Sequence, residues 1–428
     1  MTEKNRIGVH VLLMTATLFL VASISYGQTS NTATAPTPAP TVGSVLGQVT
    51  FKSNCGFLSG VGSGVGIGIA FDGKNLWYSC YNSKLATVSA TDATPAPNDL
   101  IKADPKTGAV IAGYNIQGGT GAIAYDQKRN VIWAAEGDGC NDVALWGCDN
   151  QVKVITIPLD NQQNVVIPAC ATPPCPPAPL YTVAFSVPQA YNDPIASTGS
   201  TQNIVDGLAI DTLTDTLYIH YDFGTNIFKY NATTGLYLGS VPNWLANTAY
   251  ATGSLVTDTN NNTEQATTGG TSSATVTWNA TTGGSTTDGT VIWTNRGPTG
   301  GLIAASPGIP AGTPVIPNPY GAGWLGGGLG CVVSGLAIGG STLFEGSDYC
   351  DHVWAVNNTT QAASFDFDFK TAVAGFSSFD SKTLTCDPKT FKTAGDVVWV
   401  KEPYDPQTAF AFMIPTDSCG VGGKGKKK

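Results

Sequence analysis

The chain has 428 residues, with 30 acidic and 21 basic side chains and a formal charge of −9. That balance excludes a nucleic-acid surface, which needs clustered Lys and Arg to displace condensed counterions. Charged residues amount to only 12%, and no long amphipathic helical periodicity is present, so the composition points to a loop-rich extracellular β protein.

The first 27 residues have the form of an export signal. Lys4 and Arg6 give a positive start, Val9 to Ile24 is mostly apolar, and Ser25-Tyr26-Gly27 puts small residues before a cleavage point at Gln28. The apolar run of about 16 residues is short for a membrane span, so no transmembrane segment is expected after cleavage. Losing Glu3, Lys4 and Arg6 moves the formal charge from −9 to −10. The expected location is secreted, periplasmic or cell-surface. Ten cysteines suit that compartment: 55, 80, 140, 148, 170, 175, 331, 350, 386 and 419. Close pairs such as Cys140/Cys148, Cys170/Cys175 and Cys331/Cys350 could staple loops, although spacing does not settle connectivity. A zinc-type site lacks support, because there is no CxxC and the cleaved chain keeps only His220 and His352. Both histidines read as structural.

Residues 28–45, rich in Thr, Pro and Ala, form a linker with too little apolar surface to fold. From 46 a recurring phrase begins. A small residue precedes a hydrophobic-Ala-hydrophobic strand, usually an Asp follows, and an aliphatic-aromatic pair comes a few residues later. It occurs as Gly68-Ile69-Ala70-Phe71-Asp72 with Leu76-Trp77, and as Ala122-Ile123-Ala124-Tyr125-Asp126 with Ile132-Trp133. It returns as Gly207-Leu208-Ala209-Ile210-Asp211 with Leu217-Tyr218, and as Gly335-Leu336-Ala337-Ile338-Gly339 with Leu343-Phe344. Long-period repetition implies copies of one supersecondary unit. A third strand follows and ends in polar turns, Asp104-Pro105-Lys106-Thr107-Gly108 and Asn231-Ala232-Thr233-Thr234-Gly235, with Asn357-Asn358-Thr359-Thr360 in the fourth unit. A fourth strand then completes each unit.

Four antiparallel strands per unit predict an all-β β-propeller. Units start near 67, 121, 206, 334 and 378, which favours five blades and keeps six as the alternative. The last unit has an unclear first strand, an aromatic strand at Asp396 to Lys401 and another at Thr408 to Ile414. Ser44 to Phe51 could supply its missing strand and close the ring by pairing the chain ends. The propeller thus spans 46–243 and 299–420. The remaining 421–428 is a Gly/Lys tail, read as a solvated end, with an electrostatic anchor as the alternative.

These strand phrases and D/N-x-x-T-G turns resemble the YVTN, NHL and quinoprotein-like group of β-propellers. The resemblance implies the fold and leaves function open, because that group hosts binding scaffolds, lactonases, lyases and dehydrogenases. Residues 244–298 differ sharply, being dominated by Thr, Gly, Asn and Ser around Trp244, Tyr250, Trp278 and Trp293. Their skeleton resembles a small β module of phage tails and bacterial surface proteins, similar in outline to chitin-binding-type carbohydrate modules. It departs from that pattern at Val276-Thr277 and Ser273. The resemblance implies that Trp244, Tyr250, Trp278 and Trp293 stack on sugar rings, whose apolar faces suit flat aromatics. The rival reading is that the four simply form the core of so small a unit.

Acidic residues follow the second strand of several units: Glu136 and Asp138, Asp222, Glu345 and Asp348, and Glu402. Equivalent positions in a ring fall on one face, where such carboxylates could hold Ca²⁺ through hard oxygen ligands. The alternative is a ring of solvated loop acids. No other cofactor is indicated, and no nucleophile elbow, HExxH or Walker loop is present. The expected function is a binding or adhesion scaffold for a polysaccharide or cell-envelope partner. A Ca-assisted lactonase- or lyase-like enzyme and a structural envelope component are the alternatives.

Overall fold

The computed structural model describes residues 40–51, 66–80, 100–116, 120–135, 151–168, 179–188, 205–221, 227–241, 244–250, 252, 254–260, 262–295, 332–348, 352–358, 363–373, 383–402 and 407–420. The suggested cysteine pairs 140/148, 170/175 and 331/350 lie outside them.

The chain enters with β1 (Val45–Thr50) and then forms four-stranded antiparallel sheets in sequence. The first sheet is β2 (Ile69–Phe71), β3 (Leu76–Ser79), β4 (Leu100–Ala103) and β5 (Val110–Tyr114). The second is β6 (Ile123–Asp126), β7 (Val131–Ala135), β8 (Gln151–Pro158) and β9 (Thr182–Pro188). The third is β10 (Val205–Asp211), β11 (Thr216–Tyr221), β12 (Ile227–Asn231) and β13 (Tyr237–Val241).

An insertion follows, made of β14 (Ala249–Tyr250), β15 (Leu255–Thr257), β16 (Thr263–Thr268), β17 (Gly270–Thr271), β18 (Ser285–Asp288) and β19 (Val291–Asn295). It forms a small β14–β17 pair and a sheet ordered β15-β16-β19-β18. The fourth propeller sheet is β20 (Val332–Gly339), β21 (Thr342–Asp348), β22 (His352–Asn357) and β23 (Ala363–Asp368), followed by the single helical turn Phe369–Ala372. The fifth takes β24 (Thr383–Asp387), β25 (Asp396–Lys401) and β26 (Thr408–Ile414), and β1 pairs antiparallel with β26 on its outer edge.

The first strands β2, β6, β10, β20 and β24 pack on one another in that order, and β24 meets β2. An apolar core fills each interface between consecutive sheets. The repeated phrase explains these cores. Its Ala lies directly opposite its aromatic residue: Ala70 faces Trp77, Ala124 Trp133, Ala209 Tyr218 and Ala337 Phe344. Side chains at such positions stand only about 5 Å apart, so a methyl group leaves room for the large ring. All five aromatics, with Trp399 of the fifth sheet, are buried. Each indole or phenyl ring packs toward the following sheet.

Two of the expected turns are present, and the third, at 357–360, runs outside the described residues. Asp104 Oδ1 accepts from the Lys106 and Thr107 N–H groups at 2.8 Å, and Gly108 takes a φ of +66°. Asn231 and Gly235 repeat that arrangement in the third sheet.

Candidate functional site

The ring axis holds a cavity of about 490 Å³, bordered by Phe71, Ile123, Leu208, Leu336 and Leu384 from the five first strands. It opens beside the turns that join first to second strands.

Each phrase Asp caps its turn and, where the aromatic is Trp, also receives the indole. Asp72 accepts from the Lys74 and Asn75 N–H groups on Oδ1, and from Asn75 Nδ2 and Trp77 Nε1 on Oδ2, with the indole contact at 2.7 Å. Trp133 donates to Asp126 at 3.1 Å and Trp399 to Asp387 at 3.0 Å. In the third sheet the aromatic is Tyr218, and Asp211 Oδ2 accepts instead from Thr214 and from Asn358, next to the end of β22. The sequence shows this Asp plainly, but its bond to the indole becomes visible only once the hairpin brings the two together. These carboxylates accept from turn donors, and Asp72 and Asp211 do so at the cavity border. The cavity rim also carries the exposed Lys389, whose amine lies over Gly73 of the neighbouring sheet.

A second set of polar groups ties neighbouring sheets together. Ser79 Oγ accepts from Gly68 N at 2.7 Å and donates to Gly121 O of the next sheet at 2.6 Å. Lys401 is fully buried and donates to Gly66 O. His220 occupies the matching level of β11 and is also fully buried, in keeping with its structural reading. His352 Nε2 lies 2.6 Å from Asp366 Oδ2.

Glu136, Asp138 and Asp222 lie outside the described residues, and only the backbone of Asp348 is described, at the end of β21. Glu345 does not follow the second strand as its spacing suggested but lies within β21. It sits inside the sheet, opposite Leu336 and Trp354, and is 5% exposed. Glu402 is half-buried, and its N–H donates to Thr408 O at 2.8 Å. Among the described residues no three His, Cys, Asp or Glu side chains are grouped to hold a metal ion.

The aromatic residues of the insertion also depart from the expected platform. Tyr250, Trp278 and Trp293 are buried, and Trp244 packs against them half-exposed. Trp293 meets Tyr250 edge-on at 4.8 Å and Trp278 at 5.9 Å, while Trp278 meets Trp244 at 5.9 Å. Their ring faces are spent on one another, because a sheet this small has few other apolar groups to bury.

Asp288 organises the group. Trp244 Nε1 and Trp293 Nε1 both donate to its Oδ2, at 2.7 and 2.9 Å, and the Ser273 N–H and hydroxyl donate to Oδ1. Burial pushes the Asp288 carboxyl up, but the bonds from Ser273, Trp293 and Trp244 outweigh it and hold the group below the usual carboxylate range. Ser273, a departure from the resembled pattern, thus supplies two of the donors. Tyr250 is pushed up to about 12 by burial.

What the inserted sheet exposes is hydroxyl-rich. Thr268, Ile292 and Thr287 are exposed and stand side by side across β16, β19 and β18. Ile292 is 37% exposed.

No family model matches the chain, and no curated protein does. Among solved structures it is similar to the glutaminyl cyclase of Myxococcus xanthus, at 8% identity over 88% of this chain and 97% of that one, with a TM-score of 0.39. It is also similar to the PQQ-bound aldose sugar dehydrogenase of Streptomyces coelicolor, at 12% identity over 86% and 97%, TM-score 0.36. A third is the Cps50 (Swd1) β-propeller domain of Myceliophteria thermophila, at 7% identity over 82% and 83%, TM-score 0.31.

Proposed function

We propose that the chain is an exported binding scaffold whose propeller carries the inserted sheet as its contact module, with a polysaccharide of a cell surface as the partner. The observation that carries this reading is the exposed row Thr268–Ile292–Thr287 on a sheet whose aromatic core is complete without any partner. Threonine offers a methyl group and a hydroxyl on a rigid β-surface, which suits the mixed apolar and hydroxylated faces of sugars. The contact is therefore assigned to this outer face and to the half-exposed edge of Trp244, not to the faces of Tyr250, Trp278 and Trp293. The Cys386–Cys419 disulfide supports an oxidising location.

The test is retention of the full chain on insoluble chitin, cellulose and peptidoglycan. Thr287→Lys and Ile292→Lys are each expected to weaken retention about tenfold, as for residues central to a contact. Retention on none of these polymers, or retention unchanged in both variants, would overturn the assignment.

A further inference from the structure

The fourth unit breaks the repeated phrase at one place, with Gly339 where three of the other four sheets carry the Asp that receives an indole. The C-terminal segment explains the exception. After β26 the chain crosses to the inner strand of the fourth sheet, and a Cβ on Gly339 would fall 2.5 Å from Cys419 Cα and from Ser418 O. Gly340, at a φ of +55°, and Gly420, at +50°, meet backbone to backbone in the same place, so a side chain on Gly420 would collide with Gly340.

The segment is fastened on its other side to the fifth sheet. Cys419 is bonded to Cys386 of β24, its N–H donates to Asp396 Oδ2 at 2.8 Å, and its sulfur lies 3.4 Å from Val397 O. Cys386, Cys419, Gly420, Gly339 and Gly340 all border the axial cavity. A wall of that cavity is thus built from the chain end rather than from a blade.

We infer that residues 415–420 form a strap closing the cavity against the inner strand of the fourth sheet, and that the Cys386–Cys419 disulfide is its latch, opened by a dithiol in the surroundings. The exchange balances. A thiolate of the dithiol attacks the sulfur of Cys386, a half-buried residue bordering the cavity, and forms a mixed disulfide, and Cys419 leaves as a thiolate that takes up a proton. The second thiol of the reductant then displaces Cys386, leaving two protein thiols and an oxidised, cyclic dithiol. Once the covalent tie is gone, the strap is held by backbone contacts and the Asp396 bond, in a segment made short and glycine-rich by the close approach.

Amide hydrogen exchange on the full chain tests this. In the double variant Cys386→Ser/Cys419→Ser, amides of 336–340 and 416–420 are expected to exchange at least ~10-fold faster, with 69–79 of the first sheet unchanged. Dithiothreitol should produce the same local change in the unmodified protein and add nothing at these segments in the double variant. Gly420→Ala, which keeps the disulfide but crowds Gly340, should loosen the same two segments if the double variant does not fold. Unchanged exchange at both segments would overturn the latch, as would a rise spread evenly around the ring.

Discussion

The ring and the inserted sheet solve one local problem with the same residues and put the answer to different use. In the first blade Asp72-Gly73 turns the chain and Trp77, five residues after the Asp, returns its indole N–H to that carboxylate. In the insertion Asp288-Gly289 does the same for Trp293 at the same separation. Gly73 and Gly289 both take a positive φ, +91° and +61°, which an L side chain adopts only with strain. The indole of Trp77 then packs toward the next blade, so the clasp contributes to a core shared between sheets. The indole of Trp293 packs into a core belonging to the insertion alone. A tryptophan next to an Asp-Gly turn therefore identifies a clasp, and only the neighbouring surface determines which core it serves.

Trp293→Ala is the sharpest way to separate the two regions. Removing a fully buried indole costs about 3–5 kcal/mol, and in so small a core the loss should unfold the insertion. Hydrogen exchange is expected to show protection lost at 254–295 and retained at 69–79 and 123–135. Loss of protection in both regions would mean that the insertion and the ring share one cooperative unit.

Asp72→Ala and Asp288→Ala compare the clasps directly. Each strands an indole N–H and several turn donors, at about 1–3 kcal/mol for a buried group left unpaired. Asp288→Ala should be the more damaging, because two tryptophans and Ser273 lean on that carboxylate. Urea midpoints would show the order, and equal losses would mean that the second tryptophan contributes nothing. Gly339→Asp restores the repeated phrase in the blade that lacks it. Pattern alone predicts a gain in stability, whereas the Cys419 contact predicts a loss of about 1–3 kcal/mol from overpacking.

These contrasts show what was legible in the sequence. The alternation of Ile69-Ala70-Phe71 and its copies marks strands because one face is buried, and the Ala–aromatic pairing follows from their register. The polar turns at Asp104 and Asn231 are equally readable, since the side chain bonds its own backbone two or three residues on. Long-range partners are not written locally. Cys386 and Cys419 stand 33 residues apart, farther than the close pairs that spacing suggested, and Gly339 looks like a simple lapse in the repeat until the chain end is placed on it. The aromatics of the insertion were ambiguous for a physical reason: a sugar platform and a small core ask for the same side chains. Burial decides between them, and burial is not a local property. Glu345 illustrates the same limit, because it lies within β21 and is buried, where its spacing suggested a position after the strand.

Acid titration probes a tie between two blades of the ring. Asp215 joins the second and third blades through Arg129 Nη2 at 2.6 Å and Lys128 Nζ at 3.3 Å. The Thr233 hydroxyl first, and then Arg129, hold its carboxyl at about 2, below its ordinary 3.8 and against the opposing effect of burial. A depressed folded value means stabilisation that is present above pH 3.8 and lost as the pH falls toward 2. Urea midpoints measured between those limits should fall, and Asp215→Asn should flatten that fall. An unchanged slope in the variant would assign the acid sensitivity to other carboxylates.

The smallest expected effect on stability is the one most informative about the contact face. Thr287 is exposed on β18 beside Ile292, and its hydroxyl is not part of the Asp288 network. Thr287→Lys should therefore shift stability by no more than about 0.5 kcal/mol, as surface substitutions usually do. A melting curve that overlays the unmodified protein, combined with weakened retention on polysaccharide, would place binding on the outer sheet and leave the tryptophans as its support. A melting curve that drops instead would mean that the threonine row is packed against something the isolated chain provides, and the contact would then have to be sought along the edge of Trp244.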